Sequence, residues 1–293
     1  MPLRCDARVL VTGATGHLGR RVVRRLMQAG LQVRVLSRRR PNIRNAFGAT
    51  FTAETEIGDL TEPVTVELAL SRCDALVAVS HIRHARALIE GCWKTGVRRA
   101  VFLSSARAHS QIADVTVDEV RAGEAEVAAG GLDAVILRPT MIFGDEQDGN
   151  LTRLMRAIQR WPVLPLPGGG RNLVQPVFVT DVAGAVHAAL TRDGALGHTY
   201  DLGGPQPMTY REMLMSMAAA MGRTIRIVPV PIEPLLPLVW LFQKIAAHPT
   251  LTTAQLRRMK EDRTVDITAA RSDLDFDPMP FAAAFERKLS GRI

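Results

Sequence analysis

Aromatic residues are scarce in this 293-residue chain, at 5% with only two tyrosines. That scarcity excludes a nucleic-acid surface of stacking rings interleaved with basic side chains. Cysteine is sparse too. Cys5, Cys73 and Cys92 are odd in number and lack Cys-x-x-Cys spacing, which argues for reduced thiols and against a disulfide frame or a zinc site. No long uninterrupted apolar run occurs: between Ile225 and Ala247, Pro229, Pro231, Glu233, Pro234 and Pro237 break the hydrophobic pattern, so no membrane-spanning helix is expected. A short apolar run leads straight into a glycine-rich turn, leaving no room for a secretory leader, and the expected location is cytoplasmic.

With 47% hydrophobic and 23% charged residues, the chain can bury a substantial core. Its net charge of +8 comes from arginines dispersed along helical patterns, so most of them read as solvated and no nucleic-acid partner is expected. An anionic ligand accounts for part of the bias.

The chain's most informative stretch is Arg8-Val-Leu-Val-Thr-Gly-Ala-Thr-Gly-His-Leu-Gly19. Val9, Leu10 and Val11 read as a buried parallel strand; Leu18, Val22, Val23 and Leu26 then recur at helical spacing until Gly30. Between them Gly13 permits a sharp turn, Gly16 lets backbone approach a pyrophosphate, and Gly19 allows close packing of helix on strand. Thr15, His17 and Leu18 complete this dinucleotide cradle, whose anion sits on unpaired helix N–H groups.

Further strands are expected at 32–37, 50–57, 74–80, 99–105 and 132–137, with helices between them, including one over 117–129. Strands alternating with helices imply an α/β fold with a doubly wound parallel Rossmann sheet. Beyond Pro139 the rhythm changes. The segment 162–170, rich in proline and glycine, reads as a substrate-side loop, Thr180-Asp181 as a helix cap, and Tyr210, Met213, Leu214, Met217 and Met221 as a core stripe. Residues 1–145, with contributions from about 172–203, are the expected cofactor-binding core, and 146–293 mainly a small C-terminal substrate-binding cap. Residues 234–242 are more apolar than an exposed helix face requires. Core packing is the favoured explanation, with a substrate pocket, a protein partner or a membrane surface as alternatives.

An NAD-selective site places a carboxylate at the end of the second strand. Here Ser37-Arg38-Arg39-Arg40 stands there, and guanidinium groups suit the extra phosphate of NADP(H), which is expected over NAD(H), with Arg38 at the discriminating position.

The segments 11–19, Gly58-Asp59-Leu60, 101–105, 137–144, 175–183 and 200–205 together resemble the short-chain dehydrogenase/reductase superfamily. The resemblance is closer to its atypical branch of NmrA-like proteins, isoflavone-reductase-like enzymes and the Rossmann accessory subunit of mitochondrial complex I. The last two segments resemble extended, sugar-epimerase-like members. The resemblance implies adenine contacts at Asp59 and Leu60, a ribose side lined by Ser80 and His81, and further cofactor contacts at Ser104 and Pro139. It also implies hydride transfer assisted by a serine and by a tyrosine and lysine four apart on a helix. That pair is missing: Tyr200 and Tyr210 both lie far downstream of the helix concerned. Ser105 stands at the place of the superfamily's catalytic serine, and His109 and Glu124 are the other candidates for proton transfer. His81 and His84 lack a third ligand, so no metal is expected. The leading expectation is an oxidoreductase acting on a small, largely apolar carbonyl substrate. The alternatives are a non-catalytic NADP(H)-binding sensor, assembly factor or accessory subunit, and a sugar epimerase or dehydratase.

Overall fold

Val9, Leu10 and Val11 have no solvent exposure, as a strand covered on both faces requires. The computed structural model describes residues 3–144, 148–245, 253–258 and 260–291. Its first half alternates β1 (Arg8–Thr12), α1 (His17–Gln28), β2 (Gln32–Ser37), α2 (Arg40–Phe47), β3 (Glu54–Ile57), α3 (Pro63–Leu70), β4 (Ala75–Ala78), α4 (Ala85–Thr95), β5 (Arg99–Leu103), α5 (Val115–Ala129) and β6 (Asp133–Pro139). Then come β7 (Ile142–Phe143), α6 (Gly149–Arg160), β8 (Val163–Pro167), β9 (Leu173–Val174), β10 (Val177–Phe178), α7 (Val179–Thr191) and β11 (Thr199–Leu202). The chain continues through β12 (Met208–Thr209), α8 (Tyr210–Ala220), β13 (Arg226–Val230), α9 (Leu235–Ile245), α10 (Thr253–Arg258), α11 (Thr268–Leu274) and α12 (Phe281–Leu289).

Seven strands form one parallel sheet in the order β11-β6-β5-β4-β1-β2-β3. Side chains of α1 and α7 pack on one face and those of α3, α4 and α5 on the other, giving two apolar layers. This is the doubly wound α/β architecture expected from the alternation. The connections run outward in opposite directions from β1 and β4, so the crevice between their C-terminal ends is where such a sheet binds ligands. A third apolar cluster lies off the sheet, with Phe143, Leu151, Phe178, Met213, Met217 and Phe285 among its members. Of the α8 stripe, Met213, Leu214 and Met217 are buried in it, and Tyr210 and Met221 are half-buried against it.

Several boundaries differ from the sequence reading. The third strand begins at Glu54 rather than residue 50, because Phe51 leaves the sheet to stack on Phe47 at the end of α2, ring centroids 4.1 Å apart. Residues 163–167 are a strand, not a loop: β8 pairs in parallel with β13, and both carry proline, which a two-stranded ribbon tolerates because each strand has a free edge. Thr180 and Asp181 lie inside the first turn of α7, not at its cap, and Asp181 accepts the Met279 backbone N–H at 2.8 Å. Along the apolar segment 234–242, Trp240 is exposed and Leu235, Leu236 and Val239 are half-buried, while the side chains of Leu238, Leu241 and Phe242 lie outside the described set. Among the described residues no helix is long and apolar enough to cross a membrane.

All three cysteines are free, Cys5 exposed and the other two buried. Burial pushes the Cys73 thiol up to about 11 and that of Cys92 up to about 12. At pH 8 these hold roughly one thiolate in a thousand and one in ten thousand. A dithio-nitrobenzoate titration of the native protein is expected to count one fast thiol, Cys5, and the other two only after unfolding; fast release of more than one equivalent contradicts this.

Candidate functional site

Beyond Thr12 the chain turns through Gly13 at φ +67°, a left-handed conformation that glycine adopts without steric cost. A Cβ on Gly13 would lie 2.6 Å from the Ser80 backbone nitrogen, so the loops after β1 and β4 touch. The Thr12 and Ser80 hydroxyls, 2.8 Å apart, join them again. The Gly16 N–H donates to the Gly13 carbonyl at 3.1 Å, and Gly16 is the N-cap of α1. Gly16 has no side chain with which to cap this helix, and the first turn holds no acidic residue. The N–H donors of that turn therefore suit an anion. Thr15 is half-buried in the turn, His17 opens the helix beside Gly144, and Leu18 is buried. This cradle fits the diphosphate of a dinucleotide.

At the end of β2, Ser37 is buried and Arg38, Arg39 and Arg40 are exposed. Asp59 accepts the backbone N–H and the hydroxyl of Thr61, both at 2.9 Å. Those bonds hold its carboxyl below the usual range, with smaller attractions from Arg38 and His84. The Gly58 N–H donates to the Ser37 carbonyl at 3.1 Å, so the chain ends carrying Arg38 and Asp59 leave the sheet side by side. Leu60 packs against the apolar layer beneath α3 and α4. His81 caps the turn 82–84, its Nδ1 accepting the Arg83 N–H at 3.3 Å, and burial lowers its basicity. Among the described residues, no group of three His, Cys, Asp or Glu side chains is placed to hold a metal ion.

The third region is formed by the ends of β5, β6 and β11. Glu124 lies on the buried face of α5 with Val117, Val120 and Val127. Its two oxygens take the Arg138 guanidinium at 2.8 and 2.6 Å, and one also accepts the Ser104 hydroxyl at 2.5 Å. Glu124 thus ties α5 to β5 and β6. Ser105 caps the turn 106–109, accepting the Arg107 N–H at 3.3 Å, and Pro139 closes β6 opposite Leu202. At the end of that turn, the His109 Nε2 meets both carboxylate oxygens of Asp201, at 2.9 and 3.0 Å. Tyr200 on β11 does not offer this region a free phenol. The Tyr200 hydroxyl donates to Asp273 at 3.0 Å, burial pushes it up to about 12, and burial likewise raises Tyr210.

The structure thus gathers the glycine turn, Ser80 and His81 along one crevice, Ser37, Arg38, Asp59 and Leu60 at one end of it, and Ser104, Ser105, His109 and Pro139 at the other. Sequence reasoning did not single out Arg138 and Asp201. A signal existed in each: a charged residue in the middle of an otherwise apolar strand pattern, flanked by Leu137 and Pro139 or by Tyr200 and Leu202.

Comparison with known proteins places these features in a family. The NAD(P)H-binding family profile matches residues 13–160, and that of the NAD-dependent epimerase/dehydratase family matches residues 120–203. The chain is 29% identical to the mitochondrial NADH dehydrogenase [ubiquinone] 1 alpha subcomplex subunit 9 of Arabidopsis thaliana, over 75% of this chain and 60% of that subunit. It is 30% identical to a ceramide reductase of Caulobacter vibrioides, over 77% of this chain and 75% of the reductase. The crystal structure of gox2253 shares the fold with a TM-score of 0.79 at 23% identity, covering 97% of each chain. The glycine cradle and a match across half its length agree: this chain belongs to the NAD(P)H-binding family, a group of Rossmann proteins whose members include reductases.

Proposed function

We propose that the protein is an NADP(H)-dependent reductase of small, largely apolar carbonyl compounds that works without a tyrosine–lysine pair. The observation that carries this reading is the His109–Asp201 contact beside Ser105, at the C-terminal ends of the same sheet whose first turn is the glycine cradle. In this reading Gly13, Thr15, Gly16, His17, Leu18 and Gly19 hold the diphosphate, Ser37, Arg38, Asp59 and Leu60 the phosphorylated adenosine, and Ser80, His81, Ser104 and Pro139 the nicotinamide half. The bound dinucleotide supplies a hydride. His109 gives the carbonyl oxygen its proton and Ser105 hydrogen-bonds to that oxygen. Glu124, with both oxygens engaged, supports Arg138 and Ser104. Residues 146–293 supply most of the substrate side, and the ceramide reductase relative supports an apolar substrate. The unpaired thiols support work in a reducing compartment, the cytosol.

The test is oxidation of NADPH against a panel of apolar ketones, aldehydes and quinones. At least one substrate is expected to turn over, and His109→Gln to slow it tenfold or more. Fluorescence titration measures cofactor choice. Arg38→Ala is expected to weaken NADPH binding by roughly tenfold or more, about 1.5–3 kcal/mol for a lost charge-assisted bond, and to leave NADH binding nearly unchanged. Equal losses for both cofactors would remove Arg38 from phosphate recognition.

A second reading is favoured by the engagement of the Tyr200 phenol with Asp273: NADP(H) binding without turnover, as a sensor, assembly factor or accessory subunit, in line with the plant complex I relative. Tight NADPH binding with no oxidation across the panel would select it. A sugar epimerase or dehydratase ranks last, since that chemistry calls on the same missing phenol.

A further inference from the structure

His109 is held from three sides. Arg121 on α5 donates to the carbonyls on either side of it, Ala108 at 3.0 Å and Ser110 at 2.8 Å. Glu261 accepts the Ser110 hydroxyl at 2.8 Å and the Gln111 N–H at 2.9 Å. The third hold is Asp201, which grips Nε2 with both oxygens and pairs in register with Arg138 on the neighbouring strand. The Asp201 side chain is only 20% exposed, whereas His109 is 46% exposed. A carboxylate accepts but does not donate, so the proton belongs on Nε2 and the open position on Nδ1.

We propose that Asp201 is a positioning residue that fixes His109 in the Nε2–H tautomer, so that Nδ1 delivers the proton in carbonyl reduction. This rests on the reductase reading above. The carbonyl carbon takes a hydride from the bound reduced dinucleotide, which leaves oxidised, and the carbonyl oxygen takes the proton from Nδ1 of the imidazolium. The ring is left neutral with its remaining proton on Nε2, the form that Asp201 stabilises, and solvent reprotonates Nδ1. The other charged groups around this loop, Arg107, Arg121, Arg138 and Glu261, are occupied with backbone or with each other's elements or lie along the turn itself. Among the described residues, Asp201 alone engages the ring.

Nitrogen-15 spectra of the histidine rings at pH 9, above the ordinary imidazole range, read the tautomer directly, with His109→Gln identifying the signal. Wild-type His109 is expected as Nε2–H alone, and Asp201→Asn as a mixture. Asp201→Asn is further expected to lower kcat tenfold or more with KM within twofold, Asp201→Glu to recover part of that loss, and the His109→Gln background to make Asp201→Asn nearly silent. NADPH fluorescence titration of each variant verifies that it is folded. An unchanged tautomer, or additive losses in the double variant, overturns the role of Asp201 while the reductase reading stands. A wild-type protein that oxidises no NADPH overturns that reading, and this role with it, whatever the spectra show.

Discussion

Gly19→Ala is expected to abolish measurable dinucleotide binding and to lower stability. The new Cβ would lie 2.1 Å from the Gly13 carbonyl oxygen and 2.8 Å from the Ala14 Cα, both backbone atoms of the cradle itself. Alanine favours a helix over glycine by about 1 kcal/mol, but overpacking of this kind costs about 1–3 kcal/mol or more, so the clash wins. Relief requires α1 to move away from the turn, taking its first N–H groups out of reach of a diphosphate. Losing two charge-assisted bonds, each worth about 1.5–3 kcal/mol, weakens binding by a factor of about a hundred or more. The control is Gly184→Ala on α7, where a Cβ meets nothing within 4 Å; it should leave binding intact and raise stability by up to about 1 kcal/mol. Calorimetry with NADPH and thermal unfolding decide the matter. A Gly19→Ala protein that binds as wild type would mean that the cradle is not where the cofactor sits.

The second large effect is expected at Lys288→Met. The Lys288 ammonium and the Asp148 carboxylate are 2.9 Å apart with side-chain exposures of 4% and 2%, joining α12 to the start of α6. Asp148 also accepts the Gly144 N–H at 2.9 Å and the Thr152 N–H at 3.1 Å, so the same carboxylate fixes the chain after β7 and caps α6. Removing the cation strands a buried charge, which costs about 3–5 kcal/mol. Asp148→Asn in the same protein is expected to restore part of that loss, because no buried charge is left unpaired, although the single amide oxygen keeps only one of the two N–H bonds that Oδ1 and Oδ2 accept. Denaturant unfolding of the two single variants and the double variant measures this. Additive losses would show that the two charges do not depend on each other.

These effects divide along the line of what the sequence made legible. The cradle was readable because Gly13, Gly16 and Gly19 answer to backbone geometry within one βα unit, and because β1 is apolar on both faces. The place of Arg38 directly after β2 was readable from strand spacing alone. The contacts that complete the other end of the crevice were not, since Asp201 is 92 positions from His109 and they meet only after β11 docks beside β6. Periodicity carries no information on such long-range pairings. Local chemistry also misled at Asp181, where an acidic residue near a helix start reads as a cap although its oxygen is taken by the distant Met279 N–H. At 163–167 the prolines suggested a loop because single-strand reasoning could not see that β13 offers a matching partner.

The late arrival of β11 has a consequence for how the protein is made. Until Thr199–Leu202 leaves the ribosome, β6 presents a bare row of N–H and carbonyl groups at the rim of a nearly finished sheet, a template for cross-chain pairing. The rim of the seven-stranded sheet is therefore most open to cross-chain pairing just before its last strand is translated, and that strand both seals the rim and brings Asp201 to the crevice.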